Sequence, residues 1–412
     1  MSDRDIIRRL AYEYTGIALM DVQKEKAKLY RALNGLKPIR PVVLIDELPW
    51  SQLAVMDELK EQCASQRERA VERCFRRELY RWKHFPCDRI LVDFFPWPKH
   101  VAIGSFGIDV REDTLAIDSG NNIVSHAYKD QVSSEKDIEK LCVPEITVNQ
   151  EADAEDLAWL TGLIGDILPI RLTGLEYEGF FEPWDNIAQW RGVEPLLWDL
   201  SDRPEFLHSL INKILEIRLE LLKNVESLNL LDNSSPFLHS TAGLCDELPG
   251  EMKGGILQRK NIWGRGAAQI LASVSPGMTD EFEIRYARRF FEGFGLLYYG
   301  CCEPLHRKIG IVKQLPNLRK ISVTPWADVN LAAEQIGSVY VMANKPNPAH
   351  LAVSSINEDA VRAEINGALT ACRRHKTPVE FTLKDISSVA GHPENIDHWA
   401  KIVMEIVEST GA

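Results

Sequence analysis

Eight short apolar runs, most of them followed by an amphipathic stretch, constrain this chain more than any other feature of its sequence. The runs are Pro41–Glu47, Arg89–Phe94, Leu168–Thr173, a poorly defined one within Leu228–His239, Gly295–Gly300, Leu318–Thr324, Ser338–Ala343 and Val379–Leu383. Helical periodicity fills many of the intervals, at Pro204–Val225, Met278–Phe294, Asp359–His375 and Pro393–Glu408. Strand–helix alternation repeated about eight times calls for parallel strands, and a closed (β/α)8 TIM barrel suits the count. An open doubly wound sheet usually carries a glycine-rich phosphate turn after its first strand. Here that place reads Asp46-Glu47-Leu48-Pro49-Trp50, without glycine.

Two features extend the barrel plan. Residues 3 to about 33 read as a helix, with Ser2 and Asp5 spaced as a capping box. This defines an N-terminal helical extension over 1–38 ahead of a barrel over 39–412. A second long helix is expected over Gln52–Trp82. Segments His100–Val110 and Ile117–His126, with Ser119–Asn122 between them, read as a hairpin inserted after the second strand.

Composition sets the class. The 412 residues are 45% hydrophobic, enough for one large core, and the net charge of −12 comes without a long Lys/Arg block, which argues against nucleic acid as a partner. No run of 18 apolar residues is present and the first residues are charged, so neither a membrane span nor a secretion signal is expected. Eight cysteines without a CxxC pair fit reduced thiols in a cytoplasmic protein.

In a barrel the working site lies at the C-terminal ends of the strands. That rule gathers Asp46, Glu47 and Trp50 from the first strand, Glu178 from beyond the third, and His239 and Cys245 from around the fourth. The fifth contributes Tyr298, Cys301, Cys302 and Glu303, the sixth Trp326, the seventh Lys345 and the eighth Lys384 and Asp385. Along a strand Cys301 and Glu303 share a face and Cys302 takes the other. A thiolate, imidazole and carboxylate mouth suits zinc, with His239, Cys245, Cys301, Cys302 and Glu303 as candidate ligands. The same cysteines also fit small buried core positions. Asp46, Glu47, Glu303 and Asp385 are candidate acid–base groups. Trp50, Glu178, Tyr298, Trp326, Lys345 and Lys384 are candidate substrate contacts, and Lys384-Asp385 reads equally as an internal ion pair.

Three stretches add a resemblance. They are Trp184–Ile187 through Arg191–Leu200 with Asp202–Phe206, then Val274-Ser275-Pro276-Gly277-Met278, then Phe381–Ile396 ending His392-Pro393-Glu394-Asn395-Ile396. In this order they resemble the uroporphyrinogen decarboxylase superfamily, over roughly residues 160–410 and more weakly 40–110. True decarboxylases of that superfamily carry Arg-Gln-Ala-Gly-Arg-Tyr after the first strand, whose arginines bind substrate carboxylates. The acidic Asp46-Glu47 replaces it here. Cys245-Asp246-Glu247-Leu248-Pro249 and Tyr299–Leu305 resemble a branch nearer the cobalamin-dependent methyltransferases. Thiol-methylating members hold zinc with His-x-Cys on strand five or six and a late cysteine; here those places read Tyr298–Cys302 and Asp385. The resemblance implies a methyltransferase component moving a methyl group between a small methylated substrate or thiol and a corrinoid. Cobalamin would come from a partner corrinoid protein, since no Asp-x-His-x-x-Gly is present, and a homodimer would be the assembly. A metal-independent decarboxylase and a non-catalytic corrinoid- or tetrapyrrole-binding protein are the alternatives.

Overall fold

The computed structural model describes residues 1–116, 124–175 and 179–410. Two helices, α1 (Asp3–Ala18) and α2 (Asp21–Asn34), stand where one was expected. The Ser2–Asp5 capping box forms as expected, and Leu19 and Met20 break the run. Strand β1 (Val42–Ile45) follows. The expected second long helix starts late, as α3 (Gln66–His84), because the chain first makes a short turn of helix at Trp50–Leu53.

The next strands are β2 (Phe95–Pro98), β3 (Ile170–Thr173) and the two-residue β4 (Phe180–Phe181). Helix α4 (Pro204–Ser227) leads on to β5 (Trp263–Gly266), α5 (Arg285–Phe291) and β6 (Leu296–Tyr299). Then come β7 (Leu318–Val323), β8 (Val341–Asn344), α6 (Glu358–His375), β9 (Val379–Leu383) and α7 (Glu394–Ser409).

Seven strands form one parallel sheet in the order β1-β9-β8-β7-β6-β5-β4, and β2 pairs in parallel with β3. Among the described residues no ladder joins the pair to the sheet. The free edge of β1 is met by Asp88, whose N–H donates to the Val43 carbonyl and whose carboxylate accepts from the Val43 N–H, both at 2.8 Å.

The expected fourth strand is corrected. Residues 228–239 contribute Phe237–Leu238, which hairpins antiparallel onto Thr241–Ala242, and a single parallel bridge from Leu231 to Leu175 just beyond β3, while β5 is the strand that stands between β4 and β6 in the sheet. The run read at Arg89–Phe94 is displaced to β2. The inserted hairpin exists but pairs Glu112–Ala116 with Val124–Tyr128, while Val101–Ile103 pairs with Ile146–Val148. Its proposed turn at 119–122 lies outside the described residues.

Strands β1, β6, β8 and β9 are buried at every position, as expected for parallel strands covered on both faces. The interior is not wholly apolar. Lys320 on β7 and Glu380 on β9, both fully buried, pair at 2.9 Å, and Thr241 accepts a further hydrogen bond from the ammonium. Such a pair fixes register between strands two apart in the sheet. The N-terminal helices are tied to the same end of the sheet: Asn34 donates to the carbonyls of Ala242 and Leu244, and the Tyr30 hydroxyl donates to the carbonyl of Asp88. No helix among the described residues is long and apolar enough to cross a membrane.

Candidate functional site

Strand β6 ends at Tyr299 because Gly300 turns the chain with φ +102°. A Cβ there would come within 2.6 Å of Leu305 Cδ1 and 3.0 Å of Ser322 Cβ, so only glycine fits. The residues that follow are no longer in a strand, and the alternating faces expected for them do not hold. Glu303 turns inward. Its carboxylate accepts from the Ala268 N–H at 3.2 Å and from the Cys301 N–H at 3.0 Å, and burial pushes it up to about 7. The Ser322 hydroxyl donates to the Cys301 carbonyl at 2.9 Å. Glu303 is thus a brace for the Cys301 backbone rather than a ligand or a catalytic acid at the mouth.

The two cysteines that sequence alternation set apart come together, with their sulfurs 3.7 Å apart and unbridged. The ends of β9 and β1 supply the surrounding groups. Lys384 Nζ lies 3.3 Å from the Cys301 sulfur, 3.1 Å from Asp385 Oδ2 and 3.8 Å from Glu47 Oε2. The Cys302 thiol reaches Asp385 Oδ2 at 3.3 Å. His239 Nε2 is 3.2 Å from Glu47 Oε1, and the Asp385 N–H donates to Glu47 Oε2 at 3.1 Å.

These neighbours set the charge state of the site. Hydrogen bonds from the Cys302 thiol and His239, with the Lys384 and Arg265 charges, outweigh burial and hold the Cys301 thiol below its ordinary value. The Cys302 thiol is pushed up by its hydrogen bond to Cys301 and by burial. Burial and the contact with Asp385 push the Glu47 carboxyl up. Asp385 stays below its ordinary value because Glu47, Lys384 and Cys302 outweigh its burial. The arrangement sets the Cys301 sulfur beside the Lys384 ammonium, with the Glu47 carboxyl and the His239 ring on the other side.

Three of the residues that build it hold non-glycine backbone in the left-handed region: Glu47 (φ 50°), Ser240 (φ 55°) and Asp385 (φ 54°). This conformation is uncommon for side chains other than Asn and Asp. It persists where surrounding bonds over-determine it, a pattern concentrated at functional sites. Here the Ser240 N–H donates to Asp46 at 3.2 Å, and the Ser240 hydroxyl donates to Glu47 at 3.3 Å.

A cavity of about 500 Å³ opens beside the cluster, lined by Asp46, Glu47, Trp50, Arg81, His239, Ser240 and Thr382 among others. It shares Trp50, Arg81, Arg89, Ser235 and Phe237 with a neighbouring cavity of about 390 Å³.

Other expected site residues do not join the Cys301 cluster directly, although Asp46 lines the cavity and Lys345 bonds to Ser240. Trp326 is 68% exposed and lines neither cavity. Tyr298 is buried, with its ring 5.7 Å beneath Lys345 Nζ. Lys345 is buried, is drawn down to about 8 by that burial, and donates to the Ser240 carbonyl. Cys245 packs in an apolar cluster with Trp263, Leu296, Tyr298 and Ala343. Asp46 holds a backbone N–H and does not pair with Glu47 as acid and base. Glu178 lies outside the described residues.

Sequence reasoning also missed groups. Arg265 on β5 pairs with Glu182 and contributes positive charge at Cys301; Glu182 and Asp185 are both pushed up by burial. The signal available for Arg265 was a single charge between two glycines.

The residues do not fit the expected zinc. Among the described residues no three His, Cys, Asp or Glu side chains are grouped to hold a metal ion. The local reason is that Lys384 takes a side of Cys301, Glu303 faces the backbone and Cys245 sits in the core.

No known family profile and no curated protein matches the sequence. A solved structure, a methyltransferase from Methanosarcina mazei, has a similar fold, with a TM-score of 0.50 and 13% identity over 92% of this chain and 98% of that one. At this identity the likeness is one of fold.

Proposed function

We propose that the chain is a (β/α)8-barrel enzyme that moves a methyl group to or from a small molecule, with the Cys301 sulfur as the reacting atom. The observation that carries this reading is the Cys301 thiolate held 3.3 Å from Lys384 at the end of β6. A thiolate is a strong nucleophile toward a methyl carbon, and an adjacent fixed cation favours that form. The fold shared with a methyltransferase from Methanosarcina mazei, and the sequence resemblance to cobalamin-dependent methyltransferases, point to the same chemistry.

In the first half, a lone pair of the Cys301 sulfur attacks the donor methyl. The carbon–heteroatom bond breaks, its electron pair stays on the heteroatom, and that atom takes a proton from solvent, relayed by the Glu47–His239 pair that lines the cavity. In the second half, the sulfur–carbon bond breaks as the methyl passes to an acceptor. The thiolate returns, and the Lys384 ammonium stabilises its charge. The acceptor that the sequence resemblance names is a corrinoid carried by a partner protein. No step requires a metal.

The test is incubation with a panel of methylated amines and methyl thioethers, with and without a Co(I) corrinoid followed by absorbance. The expected result is a one-methyl mass gain on the Cys301 peptide without acceptor, and corrinoid methylation with it. Both are lost in Cys301→Ser. A panel that methylates neither the thiol nor the corrinoid overturns the reading.

A further inference from the structure

We propose that the joined cavities carry an oxyanion subsite centred on Arg81, which binds a carboxylate or phosphate group of the substrate. The inference rests on the proposed methyl transfer, takes the cavity lined by Glu47 and His239 as the place where its substrate is held, and names the substrate class. Arg81 lies in the last turn of α3, only 9% exposed, and its Nε and Nη1 are buried without a hydrogen-bond partner. Buried guanidinium N–H groups are nearly always paired. The helix C-terminus favours a cation at this position, but it supplies no acceptor to these N–H groups.

The carboxylate that comes nearest to Arg81 Nε is committed elsewhere. Glu78 accepts from Arg89 Nε and Nη2 at 2.9 Å each, a bidentate pair, and stands 3.9 Å from Arg81 Nε, beyond hydrogen-bond reach. Arg77, one turn before Arg81, lines the same space. The Trp50 ring lies under both, 4.6 Å from the Arg77 and 5.3 Å from the Arg81 guanidinium carbon. Three guanidinium groups, Arg77, Arg81 and Arg89, thus line the joined cavities with three carboxyl groups, Glu78, Asp46 and Glu47, and it is Arg89 that Glu78 takes as its hydrogen-bond partner.

The guanidinium fork matches a carboxylate or phosphate edge and accepts nothing neutral as well. Arg81 and the Glu47–His239 pair line one cavity. A substrate held there would set an oxyanion against Arg81 and its other end toward Glu47 and His239, the side on which the Cys301 cluster lies.

The experiment measures binding of acetate and of inorganic phosphate by saturable thermal stabilisation. It compares wild type, Arg81→Met, Arg81→Lys and the exposed-surface control Arg288→Met. Wild type and Arg288→Met are expected to bind at least one anion. Arg81→Met loses about tenfold or more in affinity, and Arg81→Lys recovers only part of it. Circular dichroism and the anion-free melting temperature establish that each variant folds. If Arg81→Met does not fold, Arg77→Gln and Trp50→Leu must each weaken the wild-type response.

Equal anion responses in wild type and Arg81→Met, or none in wild type, overturn the subsite. Anion binding without methyl transfer from any donor would remove the proposed reaction and leave the subsite standing. Equal methylation of Cys301 by carboxylated and uncharged donors would remove the subsite and leave the reaction.

Discussion

Cys301 is one of eight cysteines, and what distinguishes it is its neighbours. Burial pushes Cys63, Cys87, Cys245 and Cys372 up, so each is a protonated thiol at neutral pH, and the exposed Cys74 is shifted the same way. Cys301 alone is shifted downward. A small alkylating reagent at pH 5 should therefore modify Cys301 first, read by peptide mass spectrometry. Lys384→Met removes the adjacent ammonium, raises the thiol and slows that labelling at pH 5 by about tenfold or more. Labelling that is uniform across the thiols would contradict the thiolate assignment. The strand-end rule found Glu47, His239, Cys301, Lys384 and Asp385 from sequence because each lies at or beside a strand or hairpin end. It could not find Arg81, which sits in a helix crowded with Arg and Glu. It misplaced the faces of Cys302 and Glu303 because it carried strand alternation past Gly300, where the run read as a strand ends.

Among the elements, apolar runs with few glycines were legible: β1, β3, β6, β7, β8 and β9 all fall within or beside the runs read for them. Strand β5 was not legible, because Trp-Gly-Arg-Gly has the composition of a loop. Its glycines serve packing. A Cβ at Gly264 or Gly266 would meet the Phe291 ring of α5 at 2.7 or 2.9 Å, so the helix can approach the sheet only over bare backbone. The same logic governs the end of β6. Gly300→Ala forces a side chain into a left-handed turn against Leu305 and Ser322. It should cost about 2–4 kcal/mol in urea unfolding. It should also displace Cys301 from Lys384, so the low-pH labelling is lost along with stability. Retention of that labelling in a destabilised Gly300→Ala would show that the turn does not position the sulfur.

At the scale of the whole molecule, buried acids make stability depend on pH. Glu283 accepts from the Trp184 indole N–H at 2.9 Å and the Tyr299 hydroxyl at 3.1 Å, and burial pushes it up to about 8 from an ordinary 4.5. Glu303 is shifted the same way, to about 7. A raised acid binds its proton more tightly in the folded state. Its contribution is complete below about pH 4.5 and is lost as the pH climbs through 7 and 8. The melting temperature should therefore fall between pH 5 and pH 9. Glu283→Gln keeps a partner for both neighbours, flattens the fall, and should be more stable than wild type at pH 9 by on the order of 2 kcal/mol. An unchanged slope in Glu283→Gln would show that the carboxyl titrates normally. The Lys320–Glu380 pair makes a separate demand on the fold. Lys320→Met leaves Glu380 charged and buried, and should destabilise by about 3–5 kcal/mol in thermal or urea unfolding. The double change with Glu380→Met should recover much of that loss.

The left-handed backbone at positions 47, 240 and 385 also has a consequence for recognising chains built on this plan. Their cores are free to drift among apolar residues, which is how two chains come to share a fold at 13% identity. Those three corners are not equally free: glycine, asparagine and aspartate can follow the native residue there, and valine, isoleucine and threonine cannot. Three conformational restrictions, spaced 193 and 145 residues apart (240 − 47 and 385 − 240), together with glycine immediately before the first of two cysteines, amount to a sparse fingerprint. It is written in backbone shape rather than in chemistry, and it would persist in a descendant that had exchanged its reacting group for another.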